Sequence, residues 1–322
     1  MKRRILSALF ALILFAPLPI RARADRLLVP GGQTIALELG DDSVTVAAFD
    51  DSLGHTARNA GIHIGDEILE INGRAVHSAG DVKQILSESS GEIRIKVLRS
   101  GKERTLSLVP CSTDTGPKLG IYLRQGIAGV GTITFYDPRT GTFGTLGHGV
   151  NDAKGSLLPM TRGSAYPARI LSVKKGTCGT PGQLQGAGDP STILGTLYRN
   201  TPQGVFGTCT APLRGEPLPT ADYGEITTGP ATIRATVTDG SPREYSVEIL
   251  KIYPEDRDNC RNFLLRVTDP DLLETTGGIV QGMSGSPILQ NGKLVGAVTH
   301  VLVNDPTRGY GIFIENMLDA AA

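Results

Sequence analysis

Thr275-Thr276-Gly277-Gly278-Ile279-Val280-Gln281-Gly282-Met283-Ser284-Gly285-Ser286-Pro287 runs into Ile288-Leu289-Gln290-Asn291-Gly292-Lys293-Leu294-Val295-Gly296, a glycine-rich turn followed by a strand hairpin. A tight turn at Gly282 to Pro287 presents one serine hydroxyl. Flanking glycines let main-chain N–H groups face inward with no Cβ in the way. Amides so placed are what a developing oxyanion needs, which makes Gly282 and Ser284 candidate donors and Ser284 a candidate nucleophile. The reading without chemistry is a glycine turn whose serines bond only to backbone.

Upstream of that stretch, from Leu119 onward, short apolar runs alternate with Gly, Pro, Asn and Asp turns: Gly129 to Phe135, Thr232 to Val237, Ser246 to Ile252 and Leu264 to Val267, with Leu294 to Val303 after it. This pattern predicts closed or paired antiparallel sheets. Gly176 to Gly188, rich in glycine, reads as an irregular loop, and no functional motif is legible between Asp152 and Ile226. The composition agrees: 322 residues, 41 glycines, 20 prolines and no tryptophan suit turn-rich β domains. Lys plus Arg and Asp plus Glu both total 32, so no charge excess draws the chain to nucleic acid or anionic lipid.

Nearer the N-terminus, Ala60-Gly61-Ile62-His63-Ile64-Gly65-Asp66-Glu67-Ile68-Leu69-Glu70-Ile71-Asn72-Gly73 joins a turn to an alternating strand and a tight Asn-Gly turn. Val76 to Ser87 reads as a helix with Val82, Ile85 and Leu86 on one face, and Ile93 to Leu98 and Thr105 to Val109 return to strand period. This order resembles a bacterial PDZ domain, a small α+β unit in which a peptide adds as a strand beside a helix. The resemblance implies a peptide-binding loop at Gly32, Gln33, Thr34, Ile35, Ala36 and Leu37. Pro110 to Lys118 has linker composition, which puts a domain boundary near residue 112.

A serine needs a base within hydrogen-bond reach. His55, His63 and His77 fall in the PDZ region and read as surface or turn residues. His148, in Thr145-Leu146-Gly147-His148-Gly149, has glycine on both sides and is the candidate base. His300 sits inside an apolar strand and reads as a strand histidine. For the group that orients the imidazole, Asp269 ends a strand before Pro270, with Asp152 and Asp271 as competitors.

Met1 to Arg4 are basic, Ile5 to Ile20 apolar, and Ala22-Arg23-Ala24 has the small-residue spacing of a signal-peptidase site, so export with cleavage before Asp25 is expected. Cys111, Cys178, Cys209 and Cys260 then reach a compartment where disulfides persist, with three pairings open. None has zinc-ligand spacing, and no phosphate loop, His-Glu-x-x-His helix or cofactor fingerprint appears, so neither metal nor cofactor is expected.

The hexamer Gly282 to Pro287 matches the Gly-x-Ser-Gly-x-Pro motif of chymotrypsin-like proteases, which selects Ser284 over Ser286. With the signal, the PDZ string, Thr145 to Gly149 and the continuation through Gly296-Ala297-Val298-Thr299-His300-Val301 to Asn304-Asp305-Pro306-Thr307, the chain closely resembles the SpoIVB peptidase family of spore-forming bacteria. That resemblance implies a mostly β protein: a signal peptide at 1–24, an N-terminal PDZ domain at 25–111, a linker at 112–118 and a chymotrypsin-like double β-barrel peptidase domain at 119–322. It implies a triad of His148, Asp269 and Ser284, and an endopeptidase secreted across the forespore membrane into the intermembrane space. There it would cleave itself in a region around residues 25 to 60, and a membrane-bound regulator of an intramembrane metalloprotease, releasing a sigma factor. Two rivals remain: a non-catalytic PDZ adaptor tethering a membrane partner, and an envelope quality-control protease of the HtrA type.

Overall fold

The computed structural model describes residues 26–41, 43–152, 155–238, 240–256 and 261–322. The expected signal peptide and Cys260 lie outside them. No helix among the described residues is long and apolar enough to cross a membrane, and Cys111, Cys178 and Cys209 are free thiols.

The chain begins with β1 (Leu27–Pro30) and β2 (Thr34–Gly40). A small unit follows: β3 (Thr45–Phe49), α1 (His55–Asn59), β4 (Glu67–Ile71), β5 (Arg74–Ala75), α2 (Ala79–Ser87), β6 (Ile93–Arg99), β7 (Lys102–Leu108) and β8 (Ile121–Arg124). Then come β9 (Ile127–Tyr136), β10 (Thr142–Thr145), β11 (Arg162–Lys174), β12 (Gln183–Gly188), β13 (Gly195–Thr201), β14 (Gly204–Cys209) and β15 (Leu218–Pro219). The C-terminal part holds β16 (Gly229–Ala235), β17 (Arg243–Ile252), β18 (Phe263–Val267), α3 (Pro270–Thr276), β19 (Pro287–Gln290), β20 (Lys293–Leu302), β21 (Asp305–Phe313) and α4 (Ile314–Ala321).

Two closed barrels result. In the first, the pairing runs β9-β10-β14-β13-β11-β2 and back to β9, with β1 and β15 continuing from β9. In the second it runs β16-β17-β18-β21-β20-β19 and returns to β16. Period-two patterning drives each: in β17, Tyr245, Val247 and Ile249 point inward while Glu244, Ser246 and Glu248 do not. Leu28, Phe135 and Phe206 from the first barrel pack with Leu294, Ile312 and Met317 from the second, so β21 and α4 hold the barrels together. At this level the expected mostly β, double-barrel class is what the fold displays.

The domain boundaries differ from the sequence expectation. The PDZ unit precedes the bulk of the peptidase domain as expected, but β1 and β2 before it pair within the first barrel, so in the fold it sits between β2 and β9. Its sheet runs β7-β6-β4-β3-β8, with α2 capped by the Ser78 side chain. Cys111 and Lys118 exchange backbone hydrogen bonds, so 112–118 closes a loop inside the unit rather than linking two domains. The expected peptide-binding loop is also displaced. Thr34–Gly40 lies between β9 and β11, paired from Ile35 to Leu39 on both edges, and Gly32 bonds to Ile133 and Thr236 of the barrels. Gly32, Gln33, Thr34, Ile35, Ala36 and Leu37 therefore belong to the barrel. The PDZ-like sheet has edge strands β7 and β8, the latter reached through Leu119-Gly120.

Candidate active site

His148 reaches the cleft through two consecutive left-handed residues after β10, Leu146 and Gly147, both at φ 68°. Gly147 is forced by space as well: a Cβ there would lie 2.9 Å from Thr299 Cγ2 and 3.0 Å from Ile312 Cγ2 of the second barrel. Thr145 Oγ1 donates to the Thr132 carbonyl at 2.6 Å and pins the base of this turn. His148 Nδ1 lies 2.9 Å from the Gly149 carbonyl. A carbonyl can only accept, so Nδ1 carries the proton and the neutral ring leaves Nε2 free as a base. Burial disfavours the imidazolium more than the Gly149 carbonyl favours it, so the His148 pKa falls below the ordinary 6.5.

Ser284 sits in a turn held from the first barrel by alternate threonines of β9. Thr132 Oγ1 donates to the Gly282 carbonyl at 2.9 Å, Thr132 N to the Ser284 carbonyl at 3.0 Å, and Thr134 Oγ1 to the Gly285 carbonyl at 2.7 Å. Gly285, at φ 95°, admits no side chain, because a Cβ would meet Thr132 O at 2.1 Å. Within the turn, the Met283, Gly285 and Ser286 amides bond to Val280, Val298 and Met283 carbonyls. The Gly282 and Ser284 amides donate to no backbone or side-chain acceptor recorded among the described residues. The Ser284 hydroxyl donates to the Thr299 carbonyl at 2.8 Å.

His148 and Ser284 line one cavity of about 380 Å³, walled by Leu37, Leu39 and Val130 of the first barrel and Ile279, Val280 and Val301 of the second. His300 lines it too, with its ring centroid 5.1 Å from that of His148. Desolvation, then the neighbouring His148 and Arg261, push its pKa down to about 4. The sequence reading of His300 as an ordinary strand histidine missed this placement. So did the reading of Gly129 to Phe135 as a plain strand: Thr132 and Thr134, two apart in an otherwise apolar run, were its visible signal.

Asp269 is not brought to His148. Its carboxylate accepts from Leu272 N at 3.0 Å, capping α3, and from Ser246 N at 3.2 Å. Its neighbours Ser246 and Thr268 line a separate surface hollow that shares no residue with the cleft. The expected orienting carboxylate is thus a helix cap in this structure, and the Gly149 carbonyl occupies the hydrogen-bonding position at Nδ1. The competitors fare no better: Asp152 bonds to Ser156 N, and Asp271 lies 3.7 Å from Arg243. Ser286 is fully buried, its Oγ within no hydrogen-bond distance of a described partner, so Ser284 is the serine that faces the cleft.

A histidine from one six-strand ring and a serine turn from the next line one cleft, beside two amides with no partner among the described residues, an arrangement that suits a two-barrel serine peptidase carrying a PDZ unit. The description "SpoIVB peptidase S55" matches residues 116–318 and "PDZ domain" residues 34–109. The chain belongs to the SpoIVB peptidase S55 family. The PDZ match includes β2, which the fold assigns to the first barrel. Two curated proteins titled "Putative zinc metalloprotease" are similar over part of their length. That of Lactococcus lactis is 28% identical across 58% of this chain and 40% of its own length; that of Agrobacterium fabrum is 32% identical across 30% and 25%. The chain thus spans less than half of either relative. Among solved structures, the active form of the Rv3671c protease of M. tuberculosis is 15% identical, with TM-score 0.35, covering 61% of this chain and 75% of that one. The PDZ domain of the SdrC-like protein of Listeria monocytogenes is 24% identical, with TM-score 0.23, covering 26% and 88%.

Proposed function

We propose that this peptidase is an exported endopeptidase of sporulation signalling, with Ser284 as nucleophile, His148 as general base and the Gly282 and Ser284 amides as oxyanion hole. The observation that carries the catalytic assignment is the sharing of one cleft by His148, Ser284 and the two free amides. In the reaction, the Ser284 hydroxyl rotates away from Thr299, Oγ bonds to the scissile carbonyl carbon, and its proton passes to His148 Nε2. The carbonyl π pair becomes an oxyanion held by the two amides. Collapse breaks the C–N bond as the imidazolium returns the proton to the leaving amine. Water, deprotonated by the same ring, then releases the acid and regenerates Ser284. The Nδ1–H···O=C bond to Gly149 keeps the ring in the required tautomer and favours its charged form.

Family membership supports the remainder: self-cleavage, and cleavage of a membrane-bound regulator of an intramembrane metalloprotease in the space between forespore and mother-cell membranes, with peptide tails taken by the PDZ unit. Barrel integrity narrows the self-cleavage region. A cut inside Leu27–Pro30 or Thr34–Gly40 severs β1 or β2, and one between them breaks a segment bonded to β9, so cuts compatible with activity lie before Leu27 or between Asp41 and Ala60. The test is cleavage of the chain itself and of the candidate regulator by wild type, Ser284→Ala, Ser286→Ala and His148→Ala. Loss in the Ser284 and His148 variants, with Ser286→Ala active and all four folded, is the expected result. Cleavage that survives Ser284→Ala removes the assignment, and a wild type that cleaves nothing leaves the adaptor reading in its place.

A further inference from the structure

The segment without a sequence motif also bonds directly to the proposed oxyanion loop. β11 is long: Arg162–Pro167 pairs within the first barrel against β2, while Ala168–Lys174 leaves it and pairs with β12. The hairpin so formed reaches across to the second barrel. Gly176 N donates to Thr276 O at 2.8 Å and Gly179 N to Val303 O at 2.9 Å. Ile170 and Leu184 are buried in the same apolar cluster as Val247, Ile249 and Met283, the core of the second barrel.

At its base the hairpin grips one residue from both sides. Gln281 N donates to Gly182 O at 3.0 Å, and Leu184 N donates to the Gln281 carbonyl at 2.8 Å. That carbonyl belongs to the same peptide plane as the Gly282 N–H. In a trans peptide the C=O and N–H point in opposite directions, so holding the carbonyl against Leu184 aims the amide the other way. Leu184 also leaves room only for glycine on the same unit: a Cβ on Gly282, at φ 98°, would lie 3.0 Å from Leu184 Cβ. Rotation of this plane would withdraw one of the two donors while leaving His148 and Ser284 where they are.

We propose that the β11–β12 hairpin is the positioning element of the oxyanion hole, acting through the Leu184 N–H···O=C Gln281 bond that fixes the 281–282 peptide plane. The proposal rests on the serine peptidase assignment above, and its test separates the two. Hydrolysis of an activated ester by the purified chain is measured for wild type, Leu184→Pro, Leu184→Ala, Leu171→Ala and Ser284→Ala. Leu184→Pro removes the N–H and is expected to lower kcat by about 10²- to 10³-fold, the loss of one oxyanion donor, with KM within twofold. Leu184→Ala keeps the N–H and the Cβ beside Gly282 but empties part of the second-barrel core, so it is expected to melt lower with kcat within about threefold of wild type; if the proline variant fails to fold, an ester linkage in place of the 183–184 peptide, which removes the same N–H and keeps the side chain, carries the test. Leu171→Ala, on the exposed side of the same hairpin, retains wild-type rates. A parallel loss in affinity for a peptide boronic acid, whose adduct is tetrahedral, without loss for a substrate-like peptide, distinguishes a lost donor from general loosening. If Ser284→Ala abolishes hydrolysis while a folded variant lacking the Leu184 N–H keeps kcat, the hairpin proposal is wrong and the nucleophile stands. If Ser284→Ala hydrolyses as wild type does, both fall.

Discussion

Replacing Thr134 by valine removes one buried hydroxyl and changes almost nothing else in shape. Thr134 is fully buried, and its hydroxyl reaches the Gly285 carbonyl at 2.7 Å across the barrel interface. Valine keeps the β-branched outline that suits β9, so packing and strand propensity hold. What is lost is one hydrogen bond, together with the satisfaction of a carbonyl in a buried residue; a stranded buried acceptor costs about 1–3 kcal/mol. At about 2 kcal/mol, a domain of this size melts roughly 4–8 °C lower. Gly285 adjoins Ser284, so the nucleophile also loses a fixed point, and kcat is expected to fall about tenfold, equivalent to ~1.4 kcal/mol. Calorimetry and ester hydrolysis read the two effects, and Thr134→Ser, which restores the hydroxyl, should recover most of both. A Thr134→Val protein that melts and turns over like wild type refutes the claim that β9 anchors the nucleophile turn.

Asp269→Asn separates capping from orientation: the amide oxygen keeps the cap on Leu272 N but the amide nitrogen cannot accept from Ser246 N, so kcat should hold with a loss of about 1 kcal/mol in stability, and Asp269→Ala, which loses both bonds, should cost about 0.5–2 kcal/mol. A collapse of kcat in the asparagine variant, with the protein still folded, would mean that the carboxylate does orient His148 during turnover. For pH, burial disfavours the His148 imidazolium, so the acid limb of kcat/KM should be half-maximal below the ordinary 6.5; a midpoint at 7 or above contradicts the burial argument. The same depression means that the folded state binds fewer protons than the unfolded one below 6.5, and His300, near 4, acts in the same direction, so the urea midpoint should fall on acidification from pH 7 to 5. Arg26 pairs with the fully buried Asp137 at 2.9 Å, and Arg26→Ala should cost about 1.5–3 kcal/mol, as for hydrogen bonds to charged groups. Asp137 is held below 3.8, so this difference is present above 3.8 and should shrink as acid protonates the carboxylate.

Periodicity made most strands legible, and the turn around Ser284 was readable because glycine marks positions where a Cβ cannot fit. Which sheet a strand joins was not legible. The alternation of Ile35, Leu37 and Leu39 satisfies a barrel as well as a PDZ sheet, and only the partners β9 and β11 decide it. β12 was hidden for a different reason. Gln183-Leu184-Gln185-Gly186-Ala187-Gly188 lacks β-branched and aromatic residues, and its glycines serve close approach: a Cβ on Gly188 would lie 2.6 Å from Ala36 Cβ. Asp269 carried a signal that general patterning supports, since Asp before Pro-Asp-Leu-Leu reads as N-cap, N1 and an acidic first turn. Its place at a strand end before Pro270 drew the reading toward catalysis instead, and the family resemblance reinforced it.

Insertion of the PDZ unit into the β2–β9 pair gives the two parts of the molecule a defined connection. Entry follows Gly40 and exit runs through Gln125-Gly126, beside the last register pair, Leu39 and Ile127. Gly126, at φ 78°, would place a Cβ 2.1 Å from Leu39 O, so the exit crosses tightly against the entering strand. Gln125 is itself tied to the start of α2, its Nε2 donating to His77 O at 2.7 Å and its Oε1 accepting from Ala79 N at 3.4 Å. β8, at one edge of the PDZ sheet, is thus joined to α2 at its end and, two residues later, becomes β9. Leu37, Leu39, Ile127, Gly129 and Val130 of that same strand pair line the cleft. A displacement of β8 along its axis must therefore be absorbed at Gln125-Gly126 or passed to Ile127 and the cleft wall.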